Sequence, residues 1–187
     1  MLAALCLTVG SSGLIAGSAV AADGDGYLAV RSAYAEIRSG VYYLDALIDI
    51  ELNEEAGEAL TKGVSLVFEL QIEVQRKRRF WLDKLHADLK QRYELHYHAL
   101  SQRYIIRNTN TGEQQGFTAL DAALASLGNI SSLPIIDETL IEPDATYEIR
   151  VRAVLDNKSI PGALRLFFNW FVDWRMTSEW LAWQLSP

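Results

Sequence analysis

The stretch VSLVFELQIEVQ, residues 64–75, decides the fold, because its apolar and polar side chains alternate along its length. A period of two is typical of a β-strand that buries one face and exposes the other. The inward set is Val64, Leu66, Phe68, Leu70, Ile72 and Val74. The same period would bury Arg76 and Arg78, and an unpaired guanidinium group is costly to bury. We therefore expect this strand to bulge or leave the core near Gln75.

The residues before this strand predict a β-hairpin and a short helix. Val41 to Leu52 alternates in the same way, and Tyr34 to Arg38 is expected to pair with it through a turn at Ser39-Gly40. Asn53 then precedes a helix whose first turn is acidic, which suits the helix dipole. Gly63 is the expected stop of this helix.

The residues after this strand predict a second long strand beside it. From Ala87 to Ala99 the chain alternates, and its inward side chains would be Leu89, Tyr93, Leu95 and Tyr97. A helix over residues 82–92 is the rival interpretation of the first part of this segment.

The second half of the chain predicts shorter elements. We expect residues 103–108 to form a strand that is followed by a hairpin turn at 110–112. Ile135-Ile136 is expected to form a short edge strand. Thr118 and Asp121 resemble a capping box for a helix from Ala119 to Leu127, which Gly128 ends. Tyr147 to Leu155 is again a strand with one buried face. We therefore predict a mainly β fold, an antiparallel sandwich-like arrangement with two short helices.

The first 22 residues differ from the rest because they carry no charged side chain and end in small residues before Asp23. This pattern predicts a secretory signal peptide over residues 1–22, followed by a single periplasmic domain over residues 23–187. The competing interpretation is an uncleaved membrane anchor, but Gly10-Ser11-Ser12-Gly13 interrupts the apolar run. Cys6 lies within this segment and is the one cysteine of the chain, so the mature domain would have no disulfide or thiolate metal site.

The charge of the chain is unevenly distributed. The net charge is −7, yet residues 76–107 contain nine Lys or Arg against three acidic residues. A basic band on an acidic body, in an exported chain, argues against nucleic-acid binding. No glycine-rich phosphate loop, no nucleophile motif and no H-E-x-x-H pattern occurs in the sequence, and we expect no cofactor.

Short signatures spread over residues 59–183 resemble a family of exported proteobacterial proteins, domain of unknown function 4390. They are Ala59-Leu60 with Gly63 and Leu66; Arg76 to Arg79 with Trp81; Leu95 and Tyr97 to Leu100 with Arg103-Tyr104; Phe117 to Leu120 with Ala122 to Leu124; Tyr147 with Leu155-Asp156; and Trp174 with Ser178, Trp180 and Trp183. The resemblance implies no catalytic residues. Because family members are often encoded beside a nitrogen-responsive sensor kinase, it implies a signalling partner in the envelope.

The basic tract, which we define as Arg76, Lys77, Arg78 and Arg79, is the first candidate site. Together with Trp81 it would dock an envelope or membrane protein, or another anionic surface. The alternative is that these cations pair with carboxylates of the same domain.

Two further candidates come from the histidine and tryptophan spacing. His96 and His98 share one face of their predicted strand and could hold a metal ion, although exposed histidines are commonly solvated. In the aromatic C-terminal segment we expect Trp180 to complete the core with Trp174 and Met176. Trp183 would then lie on the opposite face of the strand and be free to stack on a ligand.

These observations predict a non-enzymatic periplasmic interaction module, accessory to an envelope or sensor-kinase signalling protein. One alternative is a small-ligand or glycan-binding domain that uses Trp183. The other is a metal-dependent hydrolase at His96 and His98.

Overall fold

The computed structural model describes residues 26–78, 83–156 and 175–185. Within these ranges the chain forms strands, two α-helices and one 3₁₀ turn (Glu138–Leu140). The helices are α1 (Glu54–Thr61) and α2 (Leu120–Gly128). The strands are β1 (Tyr27–Arg38), β2 (Val41–Glu51), β3 (Leu66–Arg76), β4 (Lys84–His98), β5 (Arg103–Asn108), β6 (Gln114–Phe117), β7 (Asn129–Asp137), β8 (Tyr147–Asp156), β9 (Met176–Thr177) and β10 (Leu181–Leu185).

The strands form two antiparallel sheets that share one core. The small sheet has the order β1-β2-β7, and the large sheet has the order β10-β8-β3-β4-β5-β6, with β9 also paired to β8. Buried side chains of both sheets and both helices belong to one hydrophobic cluster, including Leu44, Leu60, Ile72, Leu124 and Ile149. The predicted mainly β class with two short helices is therefore confirmed. No helix in the described ranges is both long and apolar enough to cross a membrane.

Strand β3 lies at the centre of the large sheet, between β4 and β8. Its side chains alternate between buried and half-buried as predicted. The register of its pairing with β4 shifts between Val74 and Gln75, which is the predicted bulge. The strand ends at Arg76, whose side chain binds Glu142 and thus is not buried without a partner.

The hairpin and the first helix follow local sequence signals and are confirmed. β1 pairs with β2 from Tyr27–Glu51 to Arg38–Val41, and the turn residues Ser39 and Gly40 have positive φ. At the start of α1, Asn53 Oδ1 accepts a hydrogen bond of 3.0 Å from the Ala56 N–H. This bond satisfies one of the N–H groups that a helix leaves open at its start.

The rival helix over residues 82–92 is wrong, because β4 is a strand from Lys84 onward. Its inward residues lie opposite those of β3: Leu95 faces Leu66, and Tyr93 faces Phe68. These cross-strand apolar pairs stabilise the strand over any local helical preference.

The predicted capping box of α2 is also wrong. Ala119, not Thr118, is the residue before the helix, and it makes no side-chain capping bond. The predicted end of the helix at Gly128 is confirmed, and glycine is required there because of packing. A Cβ atom at position 128 would overlap the backbone carbonyl oxygen of Ile48, so only glycine lets α2 lie this close to β2.

The predicted edge strand at Ile135-Ile136 is part of a longer strand, β7, at the edge of the small sheet. Its pairing with β2 shifts register twice, between Tyr42 and Tyr43 and between Leu44 and Ala46. Ser132 lies at the second shift and has φ of +52°, a left-handed conformation that is uncommon for a residue other than glycine.

Candidate functional site

The described part of the basic tract, Arg76 to Arg78, lies where β3 leaves the large sheet, and two of its residues are paired. Arg76 Nη1 lies 2.6 Å from Glu142 Oε1. Lys77 Nζ lies 2.7 Å from Asp83 Oδ2 and 3.5 Å from Glu148 Oε1. The pairing alternative therefore holds for two of the predicted docking residues.

The shared carboxylate of this cluster is Asp83. It accepts a hydrogen bond from the Lys77 ammonium and another, of 3.2 Å, from the Arg78 N–H. These bonds hold the pKa of Asp83 below its ordinary value, and the bond to Asp83 raises the pKa of Lys77. The Arg78 guanidinium has no carboxylate partner within the described ranges. Arg79 and Trp81 lie outside the described residues.

The histidine pair lies on the outer face of the large sheet, on the C-terminal part of β4. His98 Nδ1 is 2.8 Å from Ser101 Oγ, and the neighbouring Glu94 binds Arg107 at 2.9 Å. Across the described part of the chain, no group of three or more His, Cys, Asp or Glu side chains is placed to hold a metal ion. The structure thus brings no third ligand from the described residues to His96 and His98.

The expected roles of the two C-terminal tryptophans are reversed. Trp183 lies opposite Ile149, which is fully buried, so it shares the inner face and packs partly buried against the core. The prediction that Trp183 is free of the core is therefore wrong. Trp180 instead contacts two cations: the guanidinium carbons of Arg150 and Arg152 lie 4.6 and 4.4 Å from its ring centroid. Trp174 lies outside the described residues.

A groove of about 330 Å³ opens between β7, the β5–β6 hairpin and the C-terminal end of α2. Its volume is at the lower end of the range for small-molecule sites. Its more buried wall, which we call the floor, is apolar and consists of Tyr93, Ile106, Leu127, Ile130 and Leu133. Its more exposed wall, the rim, consists of Asn108, Thr111, Glu113, Gln115, Ser126, Asn129, Ser131, Ser132 and Pro134.

The β7 side of the rim is held in place by a polar network. Asp45 accepts hydrogen bonds from the Ser132 N–H at 3.1 Å and from Arg38 Nη2 at 3.2 Å. Arg38 also donates to Ser132 Oγ at 3.0 Å. These bonds fix the left-handed backbone of Ser132, and strained residues of this kind concentrate at functional sites.

Other rim side chains keep their hydrogen-bonding groups available. Gln115 Oε1 accepts from Ser126 Oγ at 3.3 Å, while the Gln115 amide NH₂ has no bond within the described ranges. The side chains of Asn129 and Ser131 likewise bind no other described residue. The rim therefore offers amide and hydroxyl groups that a ligand can use.

The floor contains one titratable group, the Tyr93 hydroxyl. Burial raises the pKa of Tyr93, and the nearby Glu113 carboxylate raises it further, so the phenol remains a hydrogen-bond donor. A second, apolar cavity of about 20 Å³ lies behind the floor and shares Tyr93, Leu127 and Ile130 with it.

This groove was not predicted from the sequence. Its walls come from β4, the β5–β6 hairpin, α2 and β7, so it exists only once the strand order is known. The signal in the sequence is the group Asn129, Ser131 and Ser132, small polar residues in a strand that otherwise buries Ile130, Ile135 and Ile136.

Comparison with known proteins places the chain in a family. The family model described as a domain of unknown function (DUF4390) matches residues 27–184, which run from the start of β1 into β10. No curated protein and no solved structure matches the chain. Because the family model covers most of the sequence, the chain belongs to the DUF4390 family.

Proposed function

We propose that this chain is a non-enzymatic binding domain of the cell envelope and that its ligand occupies the groove beside β7. The observation that carries the proposal is the combination of an apolar floor with rim side chains that are free to bond, namely Asn129, Ser131 and the Gln115 amide. Small-molecule sites typically combine a mostly apolar wall with a few polar groups that orient the ligand.

The titratable groups of the groove favour binding over catalysis. Among the described residues that line it, Glu113 is the one carboxylate and Tyr93 the one phenol, and the lining contains no histidine. General acid–base chemistry uses a positioned donor and acceptor with pKa values near the working pH. The raised pKa of Tyr93 makes it a poor proton donor for such a step.

The proposal is tested by mapping bound fragments with NMR on the isotope-labelled full chain. The fragments are a neutral polyol, a primary amide, an alkylammonium ion and inorganic phosphate. We expect the largest amide shift changes within residues 106–115 and 126–134, where the groove is lined.

Two neighbouring glutamines of β6 provide a blocking variant and its control. Gln115 lines the groove, whereas Gln114 is the preceding residue of the same strand and points to the other face of the sheet. Gln115→Trp should remove the fragment shifts, and Gln114→Trp should leave them intact. Shifts spread evenly over the surface, or unchanged in Gln115→Trp, would overturn the proposal.

A second candidate function, docking of an envelope or signalling membrane protein, uses the basic tract. The observation that favours it is that Arg78 and Lys84, at the same end of the large sheet, have no carboxylate partner within the described ranges. Cations without internal partners are available to a negatively charged surface.

Crosslinking in living cells tests this second candidate. The double charge reversal Arg78→Glu with Lys84→Glu should abolish a dominant crosslink to a membrane protein. Arg103→Glu is the control, because Arg103 is exposed and belongs to the same basic band but lies at the far end of β4 and β5. Equal crosslinking by all variants would eliminate the basic tract as the docking surface.

A further inference from the structure

We infer that the ligand of the groove is a neutral saccharide. This inference rests on the proposed function, since it names the ligand class of the same site. It follows from the charge, the hydrogen-bonding groups, the floor and the edge geometry of the groove.

The charge of the groove disfavours anionic ligands. Its described lining contains no lysine or arginine, and its one carboxylate is Glu113. Anionic ligands are usually bound by Arg or Lys groups or by helix N-termini, whereas the end of α2 at the groove is its C-terminus. Phosphates, carboxylates and acidic glycans therefore do not suit this site.

The available rim groups match hydroxyl groups in particular. The Asn129 amide offers both donors and acceptors, the Ser131 hydroxyl does the same, and the Gln115 amide NH₂ donates. Each hydroxyl of a sugar also donates and accepts, so each can bond to such a group without leaving an unpaired partner.

The floor supplies an apolar surface that includes one polar group, the Tyr93 hydroxyl. Tyr93 is half-buried and lines the groove together with Ile106 and Leu127, and its phenol remains protonated. An aromatic ring with a hydroxyl tip can contact the apolar face of a sugar ring while bonding to one of its hydroxyls.

The edge geometry disfavours the main alternative, an extended peptide that adds a strand to β7. Pro134 has no N–H to donate, and two register shifts distort the strand around Ser132. Proline and bulges are the features that stop edge strands from pairing with another chain. A ligand held by side chains fits this edge better than one held by backbone hydrogen bonds.

Calorimetry on the purified full chain tests the inference. The probes are the neutral trisaccharides chitotriose, cellotriose and maltotriose, with trigalacturonic acid as the anionic counterpart and a neutral six-residue peptide as the strand-forming one. We expect at least one neutral trisaccharide to bind with a Kd below about 1 mM, and the acidic one to bind at least about tenfold more weakly.

Alanine variants locate the binding. Removing one hydrogen bond through Gln115→Ala should raise the Kd by about two- to twelvefold, and Asn129→Ala should do the same. Gln114→Ala should leave the Kd unchanged. These side chains are exposed, so the variants are expected to fold.

The outcomes separate this inference from the function on which it rests. If every neutral trisaccharide fails, or the acidic one or the peptide binds better, the saccharide inference is wrong. The binding domain itself still stands if the fragment shifts cluster in the groove and Gln115→Trp removes them. If those shifts also fail to cluster there, both proposals fall together.

Discussion

The basic tract and the groove beside β7 are both rich in polar side chains, but they use them differently. At the basic tract, Arg76 and Lys77 bind carboxylates of the same chain. At the groove, Asn129 and Ser131 bind no other described residue. The density of charge in a sequence therefore does not identify a binding surface, because a charge that is paired within the fold has little left to offer a partner.

The largest expected effect tests whether the groove depends on close packing behind it. Gly128→Ala places a Cβ atom against the Ile48 carbonyl oxygen, so α2 must move away from β2. We expect the free energy of unfolding to fall by about 3 kcal/mol, together with weaker binding in the groove, measured by urea denaturation and calorimetry.

The control for this substitution is Gly57→Ala in α1. No atom of the described residues lies within 4 Å of a Cβ atom at position 57, and the residue is helical. This variant should be as stable as the wild type or more stable by up to about 1 kcal/mol. Equal behaviour of the two variants would show that the Gly128 contact does not constrain the fold.

The next effect concerns the network that fixes the rim. Asp45→Ala leaves the Ser132 N–H without its side-chain acceptor and removes one of the acceptors of the Arg38 guanidinium, and the Asp45 side chain is 18% exposed. We expect a loss of about 2 kcal/mol in thermal or chemical denaturation.

Asp49→Ala is the matched control, because Asp49 lies on the same strand as Asp45 and binds Arg31 of β1 in an exposed ion pair. Such pairs typically contribute less than about 1 kcal/mol. If Asp45→Ala costs no more than Asp49→Ala, the network does not hold the backbone of Ser132.

A smaller effect is expected at the basic tract. Arg76→Ala removes the ion pair with Glu142, whose side chain is 58% exposed, so the loss should stay below about 1 kcal/mol. Chemical denaturation measures it. A loss above about 2 kcal/mol would mean that this pair is a structural element comparable to the rim network, and the contrast between the two regions would fail.

The smallest effect is the pH dependence of the Lys77–Asp83 pair. The folded pKa of Asp83 is lowered below its ordinary value of 3.8, so its contribution to stability is present above that pH and is lost as the pH falls through the folded value. The stability difference between wild type and Asp83→Asn should therefore be present at pH 6 and shrink below pH 3.8. In a Lys77→Ala background this difference should be smaller at pH 6, and an unchanged difference would show that Lys77 does not interact with Asp83.

Features set by neighbouring residues could be predicted from the sequence. The alternation of residues 64–75 defines β3, and the cost of burying Arg76 places the bulge at Gln75. Asn53 and Gly63 give the ends of α1 because capping involves residues within one turn.

Features set by distant pairing could not be predicted. The face of the sheet on which Trp183 lies depends on its pairing with Ile149 of β8. The sequence between Trp180 and Trp183 does not reveal that pairing. The groove requires β7 to lie beside the β5–β6 hairpin, which the strand order decides. The bulge at Ser132 also changes, partway along β7, which alternate side chains face the core.

The central position of β3 also has a consequence for the order in which the chain folds. Its partner β4 follows within a few residues, but its other partner is far along the chain, as the Gln71–Arg152 hydrogen bond over 81 positions shows. β3 therefore keeps one edge unpaired until residues 147–156 have been synthesised. Distant pairings of this kind slow folding. A nascent chain that ends before residue 147 therefore lacks the partner that completes the pairing of β3.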